Sequence, residues 1–448
     1  SIRYRYQNNL KYCERNLILF ALEFKRILVG LIAICFVTSP VFAESLPDLI
    51  TEMLEDNNQL KAAQADLDAA GQSIKTAKGS YYPSLDITGT YGRERQLKPN
   101  AADSSMIPRQ LDVTVTQRLW DFGATDAVVD IVKLQRDKTV TALQLTETNI
   151  LLQAFSAYVN VLRAHQVHQF AIKSEMNVRL QTELEDALVE SGAGASTDFL
   201  QAKVQLAGAM ARRVQTEGAM EIAKNTFRGV FHKEVGDITI MVAPRLPLDK
   251  IPLTQLEAVE IALNESPLIQ SSNLDTLISK ETMKQAVSSS FGPTIDGIIE
   301  YKLKQDVGAT DGTQTEKFAK VQFNLPFNLG LTAINSIKAS ELANTASNFR
   351  YAEARNQLEM RTRNAWQQLK TTRESAKLLK NQARIAAAFL ELAREERKLD
   401  KRSLLDVLSG EVALINAKSD AVSAETDIAI SVVTLLDAMG VLRKVDLR

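Results

Sequence analysis

Between residues 84 and 122 the chain alternates with period two. Leu85, Ile87 and Tyr91 are interleaved with Asp86, Thr88 and Thr90, and Val113 and Val115 with Asp112, Thr114 and Thr116. Such alternation predicts strands with one apolar and one polar face. The pattern returns farther on. Ile295, Ile299, Tyr301 and Leu303 alternate with Asp296, Glu300 and Lys302, and Val321, Phe323, Leu325 and Phe327 with Gln322 and Asn324. The segments between the strands, near residues 100–105 and 308–315, are rich in Gly, Asp, Ser and Thr and are read as loops.

After each strand pair the period changes. Leu151, Phe155, Tyr158 and Leu162 are spaced four, three and four, which is a helical stripe, and Leu358, Ala365 and Leu369 behave likewise. Small residues, such as Ala202, Ala207, Ala209 and Ala386 to Ala388, allow close helix packing. The chain has 11 prolines, none between Pro108 and Pro244 and none after Pro326. A proline inside a helix costs about 3 kcal/mol, so these tracts are where long helices can run. From Ala124 to about Ser191 nothing interrupts a helix, which at 1.5 Å per residue extends roughly 100 Å.

The features occur twice in one order. Residues 54–60 open a helix that leads to Pro83, Ser84 and Leu85; residues 261–268 open one that leads to Pro293, Thr294 and Ile295. The stretch Leu119, Trp120, Asp121, Phe122, Gly123 aligns with Pro326, Phe327, Asn328, Leu329, Gly330. Thr197, Asp198, Phe199, Leu200 aligns with Leu405, Asp406, Val407, Leu408. Matches in one order at a nearly constant offset mark an internal duplication. The first repeat is read as 44–235 (helix, strand pair 83–122, helical hairpin 124–232) and the second as 253–448 (helix, strand pair 293–328, helical hairpin 331–442). A linker at 236–252 is marked by Pro244, Pro247 and Pro252.

Composition narrows the class. Hydrophobic residues are 45% and charged residues 24%, too apolar for a disordered chain. A net charge of -1 argues against a nucleic-acid partner. Residues 1–43 read as a secretory signal: Lys25 and Arg26, an apolar run from Ile27 to Val37, and a small-residue site ending at Ala43. The first twenty or so residues are read as lying upstream of the true start. Cleavage after Ala43 removes both cysteines, Cys13 and Cys35, so no disulfide is expected. Beyond the signal no apolar run reaches the length of a membrane-spanning helix.

Four amphipathic strands of about ten residues have the length of tilted membrane strands, yet four cannot close a barrel, and an open edge cannot face lipid. Two chains would give a barrel filled by side chains; three would give twelve strands and a pore. Trp120, Phe122 and Phe327, at strand ends, suit a membrane-interface belt. Chemistry of other kinds is weakly signalled. His165 and His168 have ligand-compatible spacing but no partner at matching spacing, and are read as surface imidazoles. Ser191 to Gly194 is not a phosphate loop, because no Lys-Ser or Lys-Thr follows. No cofactor, metal site or catalytic residue is expected.

The tandem repeat, the Pro-Ser-Leu and Pro-Thr-Ile strand starts, the Gln117 to Gly123 element and the Leu405 to Leu408 element resemble the TolC family of outer-membrane efflux proteins, over about residues 46–442. The resemblance implies a mainly helical protomer with membrane β-structure: long helical hairpins, plus four strands given to a homotrimeric twelve-stranded barrel in outer-membrane lipid. It implies an outer-membrane location extending into the periplasm. It also implies a periplasmic membrane-fusion adaptor, an inner-membrane ABC or proton-driven pump, and cargo that is either protein (type I secretion) or small molecules (efflux). By motif position Asp406 and Ser409 would ring the periplasmic constriction, with Ser409 where the family often has a second Asp. Asp198 and Arg402 would latch the closed state. Gly192 and Asp400 would lie at the adaptor-contact tips, with Asp400 where Gly is usual. Two other classes are weighed against the channel: a periplasmic coiled-coil adaptor or structural protein, and an enzyme on a helical scaffold.

Overall fold

The computed structural model describes residues 45–97, 99, 103–192, 194–308, 310–325, 330–399 and 401–447. The signal segment 1–43 lies outside the described residues, as do Phe327 and Asp400.

The chain runs α1 (Leu46–Asp56), α2 (Asn58–Gly79), β1 (Ser84–Tyr91), β2 (Glu94–Gln96), β3 (Ser104–Met106), β4 (Arg109–Trp120), α3 (Ala124–Glu190) and α4 (Ser196–Phe231). Short 3-10 turns near residues 240 and 250 follow. Then come α5 (Gln255–Glu265), α6 (Pro267–Phe291), β5 (Thr294–Gln305), β6 (Thr313–Asn324), α7 (Thr332–Lys398) and α8 (Leu404–Ala438).

Helices α3 and α7 have 67 residues each and are thus about 100 Å long. Each long helix is matched by two shorter ones, α2 and α4 along α3, and α6 and α8 along α7. The breaks that divide the short helices are locally encoded. The Asn57 side chain accepts from the Gln59 and Leu60 amides and caps α2. Pro267 opens α6, where its missing N–H costs nothing.

The main core lies at mid-length. Ile150, Leu151, Phe155 and Tyr158 of α3 meet Phe227 and Phe231 from the end of α4, Leu358 and Leu369 of α7, and Val432 and Leu436 of α8. Helices α1 and α5 wrap this level through Ile50, Met53, Ala258 and Ala262. The Tyr158 hydroxyl, buried in the centre, donates to the Val242 carbonyl at 2.9 Å. Two smaller clusters sit toward the hairpin turns: Val178, Ala202 and Leu408 in one, Leu390, Ala393 and Val407 in the other. In the second, Gly410 permits close approach: a Cβ there would meet Leu390 and Phe389 at 3.2 Å.

At the opposite end is an antiparallel sheet of order β1-β4-β5-β6. Its register aligns Leu85, Val115, Ile299 and Ala319 in one row, and Ile87, Val113 and Tyr301 in the next. Beyond it the β2–β3 hairpin extends the loop region. The edges β1 and β6 are unpaired within the chain, so the sheet is open.

Candidate functional site

The sheet has two chemically opposite faces. One carries Leu85, Ile87, Leu111, Val113, Val115, Ile299, Leu303, Val321 and Phe323, in adjoining rows of the ladder. It is solvent-exposed in the single chain; Leu85 and Val321 are 61% and 71% exposed. The other face carries Asp86, Asp112, Asp296, Glu300 and Glu316 with Arg118, Lys302, Lys304 and Lys320. Most of its charges are paired. Glu300 takes Lys302 at 2.8 Å and Lys320 at 2.7 Å, Lys304 meets Glu316 at 2.7 Å, and Arg118 meets Asp296 at 2.5 Å. One face therefore suits hydrocarbon and the other an aqueous interior.

The step from strand to long helix is built by Asp121, Phe122 and Gly123. Phe122 and Gly123 both adopt the left-handed region, at φ 59° and 83°. That reverses the chain at the sheet rim. Asp121 secures the turn: its carboxylate accepts from the Gly123 amide at 3.1 Å, the Thr125 amide at 2.8 Å and the Thr125 hydroxyl. It thereby satisfies the first free N–H groups of α3. Trp120 and Phe122 pack ring to ring at 5.7 Å and are half exposed, at the helix-side rim of the apolar face. A register shift between Arg118 and Trp120 sets Trp120 opposite Ile295 on that face. Nearby, the Tyr81 hydroxyl donates to Asp126, which pushes its pKa up to about 12.

At the far end, about 100 Å away along α3, the two hairpin turns lie together. Gly192 takes φ 79°, which favours glycine, and the turn closes with the Gly194 amide donating to the Leu188 carbonyl. Asp406 and Ser409 lie exposed in the first turns of α8, on the face away from the buried Leu404, Val407 and Leu408. Ser403 caps this helix, its hydroxyl accepting from the Asp406 amide at 3.2 Å. Arg402 Nε lies 2.5 Å from Glu396, its Nη1 lies 3.7 Å from Asp406, and its guanidinium sits over the Phe389 ring. Within one chain, then, Arg402 is held in its own hairpin and not by Asp198. Asp198 is half-buried in the first turn of α4, with no side-chain ion pair among the described residues.

Two ties between the hairpins were not read from the sequence. Arg397 of α7 meets the buried Glu185 of α3 at 2.8 Å. Arg394 of α7 meets the buried Glu411 of α8, which also accepts from Asn177 of α3 at 3.3 Å. The available signal was periodicity: Glu185 follows Val178 and Thr182 by helical steps on an otherwise buried stripe. His168 is a correction of another kind. It is buried, not a surface imidazole, with Nδ1 3.1 Å from the Thr216 hydroxyl across the α3–α4 pair. No group of three metal-ligating side chains occurs among the described residues.

An open amphipathic sheet on hairpins some 100 Å long is the pattern shared with known outer-membrane proteins. Residues 49–230 match the model of the outer membrane efflux protein family. Over 401 residues the chain is 25% identical to outer membrane efflux protein BepC of Brucella suis, covering 89% of this chain and 86% of that protein. Along most of its length the chain is thus similar to the outer-membrane efflux proteins of the TolC family. Outer membrane protein TolC of Vibrio cholerae is 22% identical over 426 residues, covering 91% of this chain and 93% of that one. Among solved structures, the Campylobacter jejuni CmeC outer membrane channel superposes with a TM-score of 0.75 at 16% identity, over 89% of this chain and 86% of that one. These similarities make the chain an outer-membrane efflux channel that extends into the periplasm. The family's proteins are channels that form trimers and work with efflux pumps. A periplasmic adaptor is not favoured.

Proposed function

We propose that three copies of this chain close one twelve-stranded barrel, and that their helices continue it as a tunnel toward an inner-membrane pump. The observation that carries this is the open four-stranded sheet with one largely apolar face and one charged face rich in ion pairs. Successive strands alternate in direction from β1 to β6, so β6 of one chain can pair antiparallel with β1 of the next. Three chains keep that alternation all the way round, with an even strand count and no free edge. The apolar face then meets lipid and the charged face lines the pore.

The two repeats, 44–235 and 253–448 joined by 236–252, each supply two strands and one long hairpin to this plan. At the hairpin ends Asp406 and Ser409 face away from their own chain, as a ring around a shared axis requires. Ringed carboxylates favour cations and repel anions. Asp198 and Arg402 would then latch neighbouring chains, and the tips at Gly192 and Asp400 would receive a membrane-fusion adaptor. The pump is of the ABC or the proton-driven type, with protein or small-molecule cargo accordingly.

The test is the mass of the outer-membrane protein in mild detergent, by size exclusion with light scattering. A trimer is expected. A monomer or dimer would overturn closure by three chains.

A further inference from the structure

The apolar face of the sheet is not uniform. Among the described strand residues it carries no carboxylate, since all five lie on the opposite face. It nevertheless carries two cations, Arg109 and Lys317. Both lie in the half of the sheet nearer the loops, and neither has an ion pair among the described residues. Each sits over a tyrosine on the same face: the Arg109 guanidinium 5.8 Å from the Tyr91 ring centre, and the Lys317 ammonium 5.8 Å from that of Tyr301. The helix-side half of the face has none: Gln117, Ile295, Gly297, Ile299, Ala319, Val321 and Phe323 are uncharged.

Below Arg109 the face is notched. Gly89 is opposite Leu111, and Leu111 opposite Leu303, so a whole row is short of one side chain. A Cβ at Gly89 would meet nothing within 4 Å. The result is a groove of about 390 Å³ lined by Gly89, Tyr91, Leu111 and Leu303, with Arg109 and Gln305 at its loop end.

An unpaired guanidinium on a hydrocarbon-facing surface is unfavourable unless an anion reaches it. The groove beside it is mainly apolar, with Leu111 and Leu303 in its lining. These two features together fit one molecule with an acyl chain and an acidic headgroup. The loop end is the end away from the periplasmic helices, so it meets the outer leaflet, where the acidic lipid is a phosphorylated glycolipid.

We propose that this groove binds the phosphorylated glycolipid of the outer leaflet, with an acyl chain in the notch left by Gly89 and a headgroup phosphate on Arg109. Lys317, roughly 15 Å from Arg109 by strand spacing, takes a second phosphate. The site rests on the three-chain barrel proposed above, which turns this face to lipid.

Native mass spectrometry of the full detergent-purified protein tests both separately, with bisphosphorylated lipid A and its fully dephosphorylated form as probes. The wild-type trimer should bind the phosphorylated form more tightly. Arg109→Gln should reduce that preference about fivefold, equivalent to ~1 kcal/mol for one basic side chain at a membrane surface. Gly89→Leu, at a position where a Cβ meets nothing within 4 Å, should weaken binding of both forms. A trimer that binds both lipids equally, or variants that bind like wild type, would overturn the lipid site alone. A chain that is not a trimer would overturn the barrel and the site with it.

Discussion

The tie between Arg397 and Glu185 has a calculable effect on gating. Glu185 is almost fully buried, its side chain 6% exposed, and its ion-pair partner is Arg397, 2.8 Å away on the other hairpin. Replacing Arg397 by Met keeps the apolar stem and removes the charge. A fully buried carboxylate stripped of its partner costs 3–5 kcal/mol. Arg397 is 29% exposed, so water reaches the vacated place and ~2 kcal/mol is the better figure. That cost falls only on the arrangement in which α3 and α7 are together at this level. Where the hairpins part, Glu185 is hydrated and is not penalised. The ratio of parted to joined tips should therefore rise about thirtyfold, since 1.4 kcal/mol is a factor of ten.

In planar bilayers Arg397→Met should spend far more time in high-conductance states than wild type. Adding Glu185→Gln should reverse much of the change, because a neutral amide is cheaper to bury than an unpaired carboxylate. Wild-type conductance in Arg397→Met, together with a lowered thermal midpoint, would refute the reasoning. The tie would then hold the protomer together without bearing on the gate.

Four further outcomes are expected. Asp121→Ala removes the acceptor for the Gly123 and Thr125 amides and should cost ~1–2 kcal/mol, read as a lower thermal midpoint of the detergent-solubilised protein; an unchanged midpoint would count against its capping role. Arg402→Ala should conduct more than wild type, and equal single-channel conductance would remove Arg402 from the latch. Asp406→Asn should be blocked less by multivalent cations, and an identical block curve would take Asp406 out of the constriction. Hydrogen bonds and charge from Arg179 and Arg213 hold the Glu175 carboxyl below its ordinary value of 4.5. The stability this adds to the α3–α4 pair is present above that value and is lost as pH falls through the lowered one. Amide exchange along α3 and α4 should accordingly rise in acid, and Glu175→Gln should flatten that rise.

The fold was legible because its two signals are long. Period-two runs of up to twelve residues and proline-free tracts of more than a hundred leave few alternatives, and duplication states each signal twice. The register of the sheet follows, since slipping β4 by one residue would turn Val113 and Val115 to the charged side. The Asp121 turn was visible as a repeated motif, although not the reason for it, which is the pair of left-handed residues that redirect the strand into α3.

The tip was less legible for a physical reason. A helix stripe predicts which positions are buried, but a buried glutamate is stable only beside a cation that arrives from a distant segment. Glu185 and Arg397 are 212 residues apart, and their spacing obeys no local rule. Position in a family motif singles out Arg402, in the turn between α7 and α8, whereas the cations that meet buried carboxylates here are Arg394 and Arg397, in the last turns of α7. Arg402 binds Glu396 with both partners about one-third exposed, where an ion pair is worth at most ~1 kcal/mol. Within a single chain the stronger restraint between hairpins is thus the buried pair. A latch through Arg402 gains comparable strength only if Asp198 of a neighbouring chain excludes water from it. The double variant Arg397→Met with Arg402→Ala separates these contributions. Effects on conductance that add would mean two independent restraints, one inside each chain and one between chains; a combined effect no larger than that of Arg397→Met would leave the buried pair as the one that matters.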